Sequence, residues 1–289
     1  MRASRAVRLA QLGLAVNGLL ALVKLVAGIV GHSQALIADA TESFADLFSS
    51  VVVWGGVRIA DRAPDDDHPF GHGKAEALAA GVVGVMLLGA ALTIAIGSIR
   101  EIVRPHHVPA PFTLAVLVGV VVVKEGMFRV VRRGAAAIRS PAVAADAWHH
   151  RSDAITSSAA FLGISVALIG GPGWEAADDV AALLASAIIV FNGLKVLRPA
   201  VDELMDHAPD SRLLSGVARA ATAVPGVLAI EKLRGRKQGR WYFLELHVQA
   251  DPGLSLHEAH ILSGMVKSAI RSAEPEVANV LVHMEPYRP

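Results

Sequence analysis

Long apolar runs separated by short polar breaks fill the first two-thirds of the chain, after which the pattern changes to short amphipathic segments. A window of about 20 apolar residues, the length that crosses a bilayer, selects Val7 to Val30, Ala77 to Ile99 and Ala176 to Leu197. Three further runs carry charge yet stay apolar over most of their length. Ala35 to Ala60 is interrupted by Asp39, Glu42 and Asp46, and Phe112 to Val131 by Lys124, Glu125 and Arg129. Ala144 to Gly170 opens with Asp146, His149, His150, Arg151 and Asp153. The pattern predicts an all-α membrane domain of six transmembrane helices. Its breaks, at Gly31-His32-Ser33, Asp61 to Lys74, Arg104-Pro105 to Pro111, Arg139-Ser140-Pro141 and Gly170-Gly171-Pro172-Gly173, are turn or helix-stop signals.

Basic residues set the orientation. Arg2, Arg5, Arg8, Arg58, Arg62, Lys74, Arg129, Arg132, Arg133 and Arg139 fall on one side, against Arg100 and Arg104 on the other. The positive-inside rule therefore places both termini in the cytoplasm. The first apolar run exceeds signal-peptide length and is read as a retained span. From Pro209 onward the spacing predicts a helix over Leu213 to Ala223 and strands over Val227 to Leu233 and Tyr242 to Gln249, around a basic turn from Gly235 to Gly239. A second helix over Leu256 to Arg271 and a last strand over Val277 to Met284 follow. The order αββαβ predicts an α+β domain, an antiparallel sheet with two helices on one face. The expected division is a transmembrane domain over 1–205 and a cytoplasmic domain over 206–289.

Composition sharpens the class. With 53% hydrophobic and only 18% charged side chains, and a mean hydropathy of +0.49, the chain is too apolar for a soluble domain, where roughly 25% charged is usual. The lipid bilayer is its first partner. A net charge of +1 from 27 basic and 26 acidic residues gives no basic face for nucleic acid. The chain has no cysteine, so disulfides, thiolate metal sites and thiol catalysis are excluded, and any metal must be held by nitrogen and oxygen.

Three clusters carry chemistry. Glu42 and Asp46 are four residues apart, as are His149 and Asp153, and such pairs share one helix face. Side by side, the two helices present three carboxylates and an imidazole, a ligand set that suits a tetrahedral divalent cation such as zinc. A charge at membrane depth costs on the order of 3 kcal/mol on insertion scales and ordinarily marks an ion or proton path. Asp39, three residues before Glu42, fits a supporting role, and His150, about 100° around the helix from His149, is expected to face elsewhere. In the loop, Asp65, His68 and His72 supply three candidate ligands, with Gly71 and Gly73 permitting a tight backbone. In the soluble domain His247, His260, His283 and Glu285, with Glu231, form a third candidate set, and alternation turns His247 away from Leu246. His257-Glu258-Ala259-His260 is one residue short of the zinc-protease spacing and is set aside.

Three segments together resemble the cation diffusion facilitator family of divalent metal transporters. They are Ala38-Asp39-Ala40-Thr41-Glu42-Ser43-Phe44-Ala45-Asp46, His68-Pro69-Phe70-Gly71-His72-Gly73-Lys74-Ala75-Glu76 and Ala145-Asp146-Ala147-Trp148-His149-His150-Arg151-Ser152-Asp153. The resemblance implies a homodimer with six helices per subunit and a ferredoxin-like cytoplasmic domain. It implies export of a divalent cation in exchange for protons, and, by likeness to bacterial zinc and iron exporters, placement in the bacterial inner (plasma) membrane. Carried residue by residue, it assigns Glu42, Asp46, His149 and Asp153 to the transport site and Asp65, His68 and His72 to a loop site. It places Glu231, His247, His260, His283 and Glu285 at a two-metal dimer-interface site, and makes Lys74 and Asp206 a charge pair that locks the dimer. Glu42 stands where Asp or His is usual, and Glu231, Met284 and Glu285 replace His, Gln and Asp types, departures that bear on a preference for harder cations and on regulatory affinity.

Imidazole suits zinc better than manganese, so His149 makes Zn2+ the expected cargo, with Fe2+, Mn2+, Co2+ and Cd2+ as alternatives. Metal binding releases protons from such a site and their return favours metal release, the basis of antiport by alternating access. A non-transporting membrane metal sensor or scaffold is the rival from another class. An enzyme is not expected, because no nucleophile and base pair, phosphate loop or HExxH segment appears.

Overall fold

In the computed structural model the described residues are 2–103, 108–138, 141–171, 173–174 and 176–287, with the side chains of 2–10 and 135–149 outside the described set. Arg104 and Arg139, and the side chains of Arg2, Arg5, Arg8, Asp146 and His149, therefore lie outside the described residues. Six long helices come first: α1 (Arg2–Val30), α2 (Gln34–Ala60), α3 (Lys74–Val103), α4 (Phe112–Ile138), α5 (Pro141–Ile169) and α6 (Ala177–Leu204). Each has 27 to 30 residues, about 40–45 Å at 1.5 Å per residue, which exceeds the roughly 30 Å of bilayer hydrocarbon. Among the described residues, five segments, in α1, α2, α3, α5 and α6, are long and apolar enough to cross a membrane. The exception, α4, carries Lys124, Glu125, Arg129, Arg132 and Arg133.

The chain clusters into two compact units, Met1–Val52 with Val82–Leu197, and Val53–Gly81 with Arg198–Pro289. In the first, α4 packs along α5, and α1 packs on both. Small residues let the backbones close: a Cβ on Gly84 of α3 would lie 3.0 Å from the Leu197 Cα of α6, and one on Gly163 of α5 would overlap the Ala181 Cβ of α6. The start of α2 is capped from another helix. Asp178 of α6 accepts hydrogen bonds from the Ser33 hydroxyl at 2.7 Å and the Gln34 N–H at 2.7 Å, so free helix-end donors are satisfied inside the protein.

The second unit contains α7 (Ser211–Thr222), β1 (Ala229–Gln238), β2 (Trp241–Ala250), α8 (Leu256–Ala273) and β3 (Val277–Pro286). Leu244, Leu246 and Val248 alternate onto one face and pack with Leu213, Val217, Leu262, Val266 and Ile270 of the two helices. Both helices therefore cover one face, as the pattern predicts, and the fold is ferredoxin-like. Two expectations are corrected. The sheet, in the order β1-β2-β3, is mixed and not antiparallel: β1 and β2 are antiparallel, whereas β2 and β3 are parallel. The cause is α8, which carries the chain back to the end from which β2 started. The turn also lies later than Gly235 to Gly239. β1 runs through Gly235 to Gln238, which pairs with Trp241, and Gly239 turns the chain at φ +61°. Gly235 serves close packing there, since a Cβ would collide with Leu244 Cδ2.

Replacing Gly84 by Leu should force α3 and α6 apart and cost about 1–3 kcal/mol of stability, the usual range for overpacking. Gly89→Leu, on the same helix but with no atom within 4 Å of its Cβ position, is the control. Thermal unfolding of both variants in detergent checks this, and equal effects would remove the close approach as the cause.

Candidate metal sites

Within the helix bundle, the half-buried Glu42 lies in the electrostatic field of Asp46, Asp39, Asp153 and Lys24, which brings the acids of α2 and α5 into one neighbourhood. Among the described residues, Glu42, Asp46 and Asp153 do not draw their oxygens together as a ready-made ligand cluster. His149 lies on the described backbone of α5, one turn before Asp153, with its side chain outside the described residues. His150, expected to face elsewhere, is fully enclosed, and Arg151 stacks over the Phe128 ring of α4 at 4.7 Å.

Two lysines missed as site residues lie beside these acids. Lys24 of α1 and Lys124 of α4 are 0% and 1% exposed. The Lys24 ammonium pairs with Asp39 Oδ2 at 3.0 Å and donates to the Ser43 hydroxyl at 2.6 Å and the Asp39 carbonyl at 3.1 Å, using all three of its donors. Asp39 Oδ2 also accepts from the Ser157 hydroxyl at 2.7 Å. Asp39 thus ties α1, α2 and α5 together one turn before Glu42. Lys124 pairs with Asp153 and donates to Asn17 Oδ1 at 2.8 Å. Averaged hydropathy hides Lys24, because one cation barely lowers the mean of a 20-residue window. The available signal is spacing: Asn17 and Lys24 are seven residues apart and share a face of α1.

In the second unit the loop brings all three of its predicted ligands together. Asp65 Oδ1 accepts from the His68 N–H at 2.7 Å and lies 3.1 Å from His68 Nδ1, while Asp65 Oδ2 is 3.4 Å from His72 Nε2. The two imidazoles sit 4.3 Å apart by ring centroids. The turn requires Gly71, at φ +81°. Desolvation pushes the Asp65 carboxyl up, but hydrogen bonds from the His68 backbone and ring outweigh it and hold the carboxyl below its usual range. His72 Nδ1 is buried without a hydrogen-bond partner among the described atoms. Two imidazoles and an ionised acid within reach of one another are a donor set that fits a divalent cation.

The β1–β2 hairpin holds this loop. Gln238 Nε2 donates to the carbonyls of Phe70 at 3.0 Å and Gly71 at 3.3 Å. Phe70 packs edge-on against Phe243 at 6.5 Å, and the Arg236 guanidinium lies 5.5 Å over the Phe70 ring. Lys74 and Asp206 pair at 2.9 Å, and Glu203 accepts from the Gly239 N–H at 2.7 Å while pairing with Lys237 at 3.1 Å.

On the sheet face that the helices leave open, parallel register sets His247 of β2 beside His283 of β3, rings 4.7 Å apart. Glu285 Oε1 lies 2.6 Å from His247 Nδ1 and 3.7 Å from His283 Nε2. The Glu285 carboxyl is held below its usual range by its interaction with the neighbouring Glu231 first and with the His247 imidazole next. His260 stands apart on α8, exposed, in the layer on the other side of the sheet. Its neighbour Glu258 closes the capping box of α8, accepting from the Ser255 N–H at 2.8 Å and hydroxyl at 2.7 Å, so its carboxylate is engaged in holding a helix end.

Residues 10–205 match the family model for the cation efflux transmembrane domain, and residues 209–287 match that for the cation efflux protein cytoplasmic domain. The chain is similar to the manganese efflux system protein MneP of Bacillus subtilis (strain 168), 31% identical over 284 residues, which cover 97% of this chain and 96% of that one. It is similar to the cation-efflux pump FieF of Escherichia coli O1:K1 / APEC, 30% identical with 94% and 90% covered. It is also similar to the magnetosome protein MamB of Magnetospirillum gryphiswaldense, 31% identical with 92% and 89% covered. Among solved structures, the cadmium form of a MamM C-terminal domain variant matches 27% of this chain and 98% of its own, at 24% identity and a TM-score of 0.27.

Glu285→Gln, which removes a candidate ligand, should weaken any metal binding at the sheet cluster by at least the roughly 10–100-fold that losing a ligand's partner costs, and leave the loop cluster unchanged, as read by calorimetric titration of the full chain. The lowered carboxyl also gives a pH signature. Its stabilising effect is complete above the ordinary glutamate value, about 4.3, and is lost as pH falls through the lower folded value. The variant should therefore flatten the acid limb of the stability curve below about pH 4, and a limb like that of the wild type would discount the contact.

Proposed function

This chain belongs to the cation diffusion facilitator family, whose members move divalent metal cations out across membranes, and on that premise we propose that it is a Zn2+/H+ antiporter working as a homodimer by alternating access. The observation that carries the reading is the meeting of the α2 and α5 acids beside buried lysines in the helix bundle. Charge so placed is retained in membrane proteins along ion paths. Glu42, Asp46 and Asp153, with His149 one turn before Asp153, are the residues proposed to hold the cation in transit, and bound metal would displace the protons that the return step consumes. The membrane proposed is the bacterial inner membrane, with both termini in the cytoplasm.

The loop cluster of Asp65, His68 and His72 and the sheet cluster of His247, His283, Glu285 and Glu231 are proposed as resident metal sites outside the path. The open sheet face is the proposed dimer surface, and His260, in the helix layer on the other side of the sheet, is left out of the sheet cluster. Zinc is chosen because imidazole is present in all three sets. Mn2+ is the second reading, favoured by the oxygen-rich transport set with Glu42 and by the likeness to a manganese efflux protein.

Proteoliposomes with an imposed pH gradient test both. Asp46→Ala and Asp153→Ala should each lower flux at least the roughly hundredfold that outer-shell partners alone can cost, with the fold kept by near-wild-type thermal unfolding. Competition among Zn2+, Mn2+, Fe2+, Co2+ and Cd2+ assigns the cargo. Unchanged flux in both variants would refute the transport site, and metal binding without flux in the wild type would turn the reading to a sensor.

A further inference from the structure

We infer that Lys124 is the built-in counter-ion of the transport site: its ammonium holds Asp153 when no metal is bound, and a divalent cation must displace it from Asp153, leaving it on Asn17. The inference rests on the assignment of Asp153 to the transport site. Lys124 is fully buried, pairs with Asp153 and donates to Asn17 Oδ1 at 2.8 Å. It is therefore shared between a proposed metal ligand and a neutral amide that has no part in the ligand set. The other buried lysine differs in kind. Lys24 is bound to Asp39, Ser43 and the Asp39 carbonyl, and Asp39 is anchored further by Ser157. That pair is neutral, multiply tied and outside the ligand set, so it is a fixed brace.

Shared occupancy gives Lys124 its role: one buried ammonium is held by Asp153 and by Asn17 together. An ammonium and a metal ion cannot both take the same carboxylate oxygen, yet Lys124 need not leave the site, because Asn17 already holds it. The lysine so competes with the metal for Asp153, and it refills the place of the metal when the empty carrier returns. A neutral residue at 124 should therefore bind cation more tightly and turn over more slowly, since return of the empty site loses its resident cation.

The test uses the full chain in nanodiscs, with His72→Ala and His247→Ala silencing the other clusters, and Zn2+ or Mn2+ alone as the probe. Lys124→Met should lower the Kd about tenfold or more, equivalent to about 1.4 kcal/mol per factor of ten. It should enlarge the metal-induced rise in Tm and lower flux in proteoliposomes. Lys124→Arg, which keeps the charge, should not reproduce the tightening. Asn17→Ala, which removes the alternative seat, should act in the opposite direction and weaken metal binding. It also stands in if Lys124→Met fails to fold. An unchanged or weaker Kd in Lys124→Met, or unchanged or tighter binding in Asn17→Ala, overturns the inference. If Asp153→Asn binds and transports like the wild type, the transport-site assignment itself falls. If Asp153→Asn abolishes binding while Lys124→Met leaves the Kd unaltered, only the role of Lys124 falls.

Discussion

A charge inside a bilayer must find its opposite there, and the first unit of this protein is organised around that constraint. Lys24 with Asp39 and Lys124 with Asp153 place two cations beside the acids of α2 and α5. Unpaired, each buried ion would carry several kcal/mol of desolvation cost. Paired, the ions link α1 to α2 and α4 to α5, and Ser157 extends the first link from α2 to α5. The packing depends on the same economy of polar groups. Asp178 satisfies the first N–H groups of α2, and glycines at the α3–α6 and α5–α6 crossings let backbones approach without a side chain between them.

The second unit solves a different problem, which is how to hold a short loop carrying two imidazoles and a carboxylate in one shape. The segment from Asp65 to His72 is too short to bury an apolar core, so the loop takes its order from outside. Gln238 supplies hydrogen bonds to two of its carbonyls, and Phe243 and Arg236 fix Phe70. The loop candidates and the sheet candidates are thereby carried on one sheet, the first held by β1 and β2 and the second placed on β2 and β3. Parallel pairing of β2 with β3 is what lets His247 and His283 lie side by side, with Glu285 two residues on beside both.

Composition and periodicity suffice for much of this. Apolar runs of spanning length and the change after Leu197 are properties of contiguous residues, and the six helices follow from them. So do the pairs Glu42 with Asp46 and His149 with Asp153, since i and i+4 share a face in any helix, and the loop ligands, which lie within eight residues of one another. Alternation likewise sets His247 and Leu246 on opposite faces of any strand that contains them.

What chain order cannot carry is which distant charge meets which. Lys24 sits in an apolar context where averaging conceals it, Lys124 stands out in α4 without naming its partner, and the partners Asp39 and Asp153 are 15 and 29 residues away. The parallel strand pair and the late turn at Gly239 arise in the same way, from α8 returning the chain and from Gly235 closing on Leu244. His260 shares a composition signal with His247 and His283 but lies across the sheet from them. Spans, ligand-bearing faces and family are thus written in the local order of residues. The pairing of buried charges and the grouping of ligands came only with folded packing, because Coulomb attraction and hydrogen bonding act over a few ångströms of space and take no account of separation along the chain.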